Sequence, residues 1–132
     1  MRKHKISIAK VQDAFNAAIK RRDCRCVVRN FEPCAGNLEC SHFYTVGANP
    51  TIRFYPLNAY AQCQKHHWNH HNKNEKFYHD YMINNHQQDM KRMEGMRKRF
   101  IDYTDELKAE IIRLCNSDKL DELRELIERE VK

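Results

Sequence analysis

The densest chemistry in this sequence lies in Cys63-Gln64-Lys65-His66-His67-Trp68-Asn69-His70-His71. Cys63 and His66 stand three apart, the usual separation of two ligands in a zinc knuckle. A second pair of ligands must come from further up the chain, where Cys24, Cys26, Cys34 and Cys40 compete. Zinc held there would replace core that a short, loop-rich segment cannot build. His67 and His71 are four apart, as are His66 and His70. On a helix that spacing stacks both imidazoles of a pair on one face, where they can share a metal ion. Cys115 belongs with Ile111, Ile112 and Leu114 on an apolar helix face and reads as core. Trp68 reads as core beside the metal helix, with base stacking as its other use.

Around this cluster the pattern names the elements that must position it. From Ile8 to Arg22 the apolar residues Ile8, Val11, Phe15, Ala18 and Ile19 recur at three- and four-residue steps, which predicts an amphipathic helix. Residues 24–37 hold three cysteines, Pro33 and Gly36 and read as an irregular knuckle. Leu38–Thr45 and Thr51–Tyr55 are rich in aromatic and β-branched residues, with turn chemistry in Val46–Pro50 between them. They are expected to form a two-stranded hairpin closed by Pro56. After Ala59 breakers are few and helix is the default, punctuated by Asn-rich stretches at 69–74 and 84–85, Gly95 and Asn116–Asp118. Ser117 or Asp118 would cap a last helix with the apolar face Leu120, Leu123, Leu126 and Ile127.

Composition sets the outer bounds. The chain has 132 residues and a net charge of +6, with six Cys and eight His against three Gly and three Pro. It fits one domain: a helix over 1–23, a knuckle and core over 24–83, and a helical extension over 84–132. No apolar run approaches the roughly 18 residues of a membrane span. The basic start is not followed by the apolar stretch of about 7–15 residues that a signal peptide carries. A cytoplasmic protein without membrane contact is therefore expected, whose cysteines are thiols or metal ligands rather than disulfides. Charge is uneven: residues 1–30 carry +7, 66–100 carry +3 and 101–132 carry −4. The first two-thirds of the chain suit a polyanion.

Ser41-His42-Phe43 places a histidine on the first strand, Asn58 lies five residues before Cys63, and His67 comes nine after Asn58. This order of His, Asn and His resembles the HNH, or ββα-metal, nuclease superfamily. The likeness is closest to the phage lambda NinG (Rap) recombination endonucleases and runs from about residue 10 to residue 83. It is carried by the helix before the cysteines, Asn37–Phe43, the Gly47–Pro50 turn, Arg53-Phe54, Asn58, Ala61–Cys63, the His-rich helix and Phe77-Tyr78.

The resemblance implies an α+β fold: a zinc-braced ββα core with an N-terminal helix and a helical C-terminal region. It implies a metal-dependent DNA endonuclease acting on branched or flapped recombination intermediates, phage-encoded and working in the bacterial host. His42 would be the general base and Asn58 would orient its loop and ring. His67 and His71 would hold a catalytic divalent ion, Mg²⁺ or Mn²⁺. Structural Zn²⁺ would take Cys26, Cys34, Cys63 and His66, with Cys24 in reserve, because the usual Cys-x-x-Cys before the hairpin is absent. Ser41 stands where relatives often carry a metal-binding Asp or His, which leaves the third catalytic ligand open. Glu39 is the acidic candidate, expected to turn away from His42 less than Cys40 does. Phosphates would be positioned by Lys20, Arg21, Arg22, Arg25 and Arg53 and by Lys and Arg in 91–99. A homodimer would suit paired incisions at a junction. The competing expectation is a non-catalytic zinc module that binds nucleic acid.

Overall fold

Ser7 opens the first helix: its hydroxyl accepts from the Lys10 amide, and α1 then runs Ile8–Asp23. Lys20, Arg21 and Arg22 sit in its last turn, where the helix dipole favours cations, and Cys24 ends it in the left-handed region at φ 63°. Val11, Phe15, Ala18 and Ile19 are buried, so the predicted apolar stripe is the one that meets the core. The computed structural model describes residues 5–73 and 76–132. Among them it is α+β, with five helices and one two-stranded sheet.

The sheet pairs β1 (Leu38–His42) antiparallel with β2 (Ala59–Cys63), from Leu38 opposite Cys63 to His42 opposite Ala59. The second strand is therefore not Thr51–Tyr55. Pro50 and Pro56 each start a short 3-10 turn, over Pro50–Ile52 and Pro56–Asn58, and neither can donate to a ladder. Thr51, Ile52, Phe54 and Tyr55 are buried instead as core of the connecting loop. Nor is Ala59 the start of helix. All five residues of β2 are buried, so the strand shows no alternation and its sequence carries no period of two.

Cys63 ends β2 and caps α2 (Gln64–Asn72). α3 (Phe77–Met96) is one helix with Gly95 inside its last turn, and it bends where His86 adopts φ −137° and ψ 32°, just after Asn84-Asn85. α4 (Asp105–Asn116) starts on the Thr104 cap and is joined to α5 (Leu120–Glu130) by a tight turn. Neither Ser117 nor Asp118 caps α5. Ser117 closes α4, Asp118 takes φ 55°, and the amides of Asp118 and Lys119 return to the carbonyls of Cys115 and Leu114.

One core joins Phe15 and Ile19 of α1, Phe54 and Tyr55 of the loop, Met82 and Met93 of α3, and Ile111 and Cys115 of α4. α5 packs back on it through Leu123, Leu126 and Ile127. A separate small cluster of Cys26, Val28 and Cys63 lies under the knuckle, too little apolar surface to hold that segment unaided. No described helix is long and apolar enough to cross a membrane.

Candidate metal centre and histidine cleft

The knuckle after α1 is fastened to the sheet edge by the Val27 amide, which donates to the Ala61 carbonyl at 2.9 Å. The amides of Gln64 and Lys65 donate to the carbonyls of Asn37 and Ala35, holding the first turn of α2 against the other side of the same segment. These ties bring Cys26, Cys34, Cys63 and His66 together, with their ligand atoms all within 4.8 Å of one another. His66 Nδ1 lies 3.4, 3.9 and 3.2 Å from the sulfurs of Cys26, Cys34 and Cys63. A tetrahedral zinc with ordinary Zn–S and Zn–N bonds separates its S and N ligands by about 3.6 Å.

The donor set fits a structural metal ion electrostatically as well. Burial raises the Cys63 thiol, but amide bonds from His66 and Ala35 and the neighbouring thiols outweigh it, so its pKa is lowered. Burial and the thiols of Cys26 and Cys63 push Cys34 up to about 12, although the residue's edge is exposed. Three thiols in this space resist sharing negative charge, and a cation removes the conflict. With Nδ1 facing the sulfurs, the buried Nε2 of His66 has no hydrogen-bond partner, and the nearest carboxylate oxygen, of Glu32, lies 3.7 Å away. A proton there faces the carboxylate in the manner of the outer partners of metal-bound histidines. Cys24 lies outside the cluster, its Sγ on the Arg21 carbonyl.

On the far side of α2, a cleft of about 370 Å³ is lined by His42, His67, His71, Arg53, Gln12 and Cys40 among others. His42, the last residue of β1, donates from Nε2 to the Arg53 carbonyl at 2.8 Å and stacks on Phe15. Burial pushes its pKa down to about 4, against the raising effect of that bond. The imidazole is therefore neutral at pH 7, with Nδ1 carrying the lone pair. Asn58 is completely buried at the entry to β2. Its side-chain amide donates to the carbonyls of Tyr44 and Ile52 and accepts from the Tyr44 amide, clamping the loop that presents the Arg53 carbonyl.

His67 and His71 lie one turn apart with ring centroids 5.0 Å apart, and His67 Nδ1 lies 3.0 Å from Glu39 Oε1. Among the described residues, the Cys3His group is the one whose ligand atoms converge; the three cleft histidines share a wall without doing so. Strand alternation sets Cys40, not Glu39, in the cleft beside His42, correcting the expected order. Glu39 reaches the site through His67 instead.

Two of the basic residues expected at phosphates are engaged inside the protein. Arg22 donates to the carbonyls of Pro56 and Ala59 and twice to Asp23, and its guanidinium lies over Tyr60. Arg21 bonds Asp118 and the Cys115 carbonyl. Arg53 opens on the cleft, held by the neutral Gln12 side chain, while Arg25 is exposed and Lys20 half-buried. Trp68 is not core: it is 56% exposed. Gln12 and Asn16, hydrogen-bonded to each other and lining the cleft from α1, are site residues that the apolar stripe had hidden. Their one signal in the sequence is a pair of amides one turn apart flanking Phe15.

A family model described as the Bacteriophage Lambda NinG protein matches residues 1–125. No curated protein and no solved structure gives a significant match.

Proposed function

From the premise that the chain belongs to the Bacteriophage Lambda NinG family, we propose a recombination-related phage endonuclease of the HNH type. It would hydrolyse phosphodiester bonds in branched or flapped DNA with a divalent metal. The observation that carries this reading is that His42 and His67 line one cleft, with His42 locked in one tautomer and Asn58 clamping the loop that locks it.

A neutral imidazole with a free Nδ1 takes a proton from water as the water oxygen attacks phosphorus. The bond from phosphorus to the 3′ oxygen breaks on the opposite side. His67 and His71 would hold the divalent cation, with Glu39 steadying His67, and the ion would supply charge stabilisation for the phosphate and leaving oxygen. Arg53 adds a fixed positive charge at the same wall. The Cys3His cluster would hold Zn²⁺ structurally, since its four ligands leave no open position for substrate.

A second reading, a zinc module that binds nucleic acid without cutting it, is favoured by one observation: no third ligand converges with His67 and His71 among the described residues. The test is a panel of linear duplex, flap, fork and four-way junction with Mg²⁺ or Mn²⁺. The chain should nick the branched members, and His42→Ala should abolish nicking while retaining binding. Unchanged nicking by that variant would dispose of the assignment, and binding without cleavage by the native chain would support the second reading.

A further inference from the structure

A second cleft, about 740 Å³ in volume, adjoins the histidine cleft, and His67 and His71 line both. One wall is a single face of α2, on which Gln64, His67, Trp68, His71 and Asn72 recur at helical spacing. Ala35 and Gly36 also line it, and Gly36 lies so close to Gln64 that a Cβ there would clash with that side chain. Within it Trp68 stays 56% exposed, with the Lys73 ammonium 5.4 Å over its ring. Phe100 is exposed as well; what sets Trp68 apart is its place in a cleft, next to His67 and to walls shared with the histidine site.

The lining identifies its chemistry. Aromatic anchors at protein interfaces sit within well-packed, desolvated surroundings. Here the indole is isolated among amides, imidazoles and lysines, with Glu39 as the carboxylate among the lining residues. Gln64, Asn72 and Lys65 are engaged by the Asn37 amide, the Trp68 carbonyl and Glu32, and a nucleotide matches what stands beside them: a flat base for the indole and a phosphate for the Lys73 ammonium. In a duplex both faces of a base are already stacked on neighbours. Only an unpaired or splayed base can be offered to the indole.

We infer that Trp68 is a stacking platform for an unpaired base flanking the phosphate bound at His67, which makes single-stranded character beside the cut a condition of recognition. The inference rests on the nuclease reading for what lies at His67, but the base site itself can be tested without cleavage.

Trp68 is the sole tryptophan of the chain, so its fluorescence reports on this site alone. The zinc-loaded full chain carrying His42→Ala is titrated with oligothymidylate, a blunt duplex and a flap. Oligothymidylate and the flap should quench the emission, and the duplex should not. Trp68→Ala, followed by anisotropy of labelled DNA, should weaken oligothymidylate binding about tenfold or more, as loss of one stacked base does. Trp68→Phe, which keeps a ring, should restore most of it, and duplex affinity should stay unchanged. Equal quenching by the duplex, or native affinity in Trp68→Ala, overturns the inference. Cleavage by the native chain with a silent Trp68 leaves the nuclease standing and the platform refuted. Quenching in a chain that cuts nothing keeps the platform and removes the nuclease.

Discussion

The ring of His42 is held by the backbone of Arg53, with Nε2 2.8 Å from the carbonyl oxygen. A carbonyl only accepts, so this contact fixes the proton on Nε2 and the lone pair on Nδ1. The same burial that excludes water from the ring, 8% exposed against Phe15, also holds its pKa down to about 4. One arrangement thus sets tautomer, orientation and charge.

Stability should therefore depend on pH with a definite sign. His42 titrates at 6.5 when unperturbed and at about 4 in the folded chain. Between those values the unfolded state binds the additional proton. Its contribution is full above pH 6.5 and is lost as pH falls toward 4. Urea midpoints of the native chain and His42→Phe, measured side by side across this range, isolate the effect because zinc loss is common to both. The native chain should lose about 1–3 kcal/mol more than the variant on acidification. Parallel curves would show that burial is not what keeps this histidine neutral.

Asn58 acts on the cleft at one remove. Replacing it with Ala leaves the Tyr44 carbonyl and amide without their partner, while the Ile52 carbonyl keeps the bond from the Tyr55 amide. The expected cost is about 2–4 kcal/mol of unfolding free energy, from more than one unpaired group. Cleavage under conditions where the variant is fully folded should still fall, because the loop carrying the Arg53 carbonyl is no longer fixed. Zinc content should remain native. A folded variant that cuts at the native rate would show that the clamp serves stability alone.

The Cys3His cluster makes a prediction that separates neighbouring cysteines. Elemental analysis of protein purified without chelators should find about one zinc per chain. Cys24→Ser should keep it, since that sulfur lies on the Arg21 carbonyl, whereas Cys34→Ser should lose it despite the exposure of Cys34. A chelator should lower the Tm and open residues 24–37 to proteolysis, because the small cluster there has three buried residues, Cys26, Val28 and Cys63, two of them ligands. Retention of zinc by Cys34→Ser would remove that residue from the ligand set.

How much of this was legible in the sequence follows from the range of each interaction. The α1 face was legible because Val11, Phe15, Ala18 and Ile19 record their burial in a local period. Cys63 and His66 were legible because one helical turn joins them. The partners Cys26 and Cys34 came from resemblance, since a loop has no period to read. β2 carries no legible pattern because burial on both faces erases alternation, and Thr51–Tyr55 reads as a strand because β-branched and aromatic residues also fill loops that are buried. The hydrogen bonds of Gln12 and Arg22 reach partners 41 and up to 37 residues away, which no local pattern encodes.

Arg22 and its neighbours offer a test that separates a charge that builds the protein from one proposed to meet DNA. Four hydrogen bonds from Arg22, two of them to its neighbour Asp23, tie the end of α1 to the Pro56 carbonyl before β2 and the Ala59 carbonyl at its start. Lysine cannot reproduce that fork. Arg22→Lys should cost about 1–3 kcal/mol of stability while preserving the charge. Its DNA affinity, measured where it is folded, should stay native. Arg25→Gln and Lys20→Gln should do the reverse, leaving the Tm in place and weakening binding. If each meets one phosphate, each should also reduce the slope of log affinity against log salt by about 0.9. Salt titrations decide the matter, with Arg22→Gln as the variant that removes the charge: a shallower slope there, measured where it is folded, would place Arg22 at the DNA, and unchanged slopes in Arg25→Gln and Lys20→Gln would remove those residues from it.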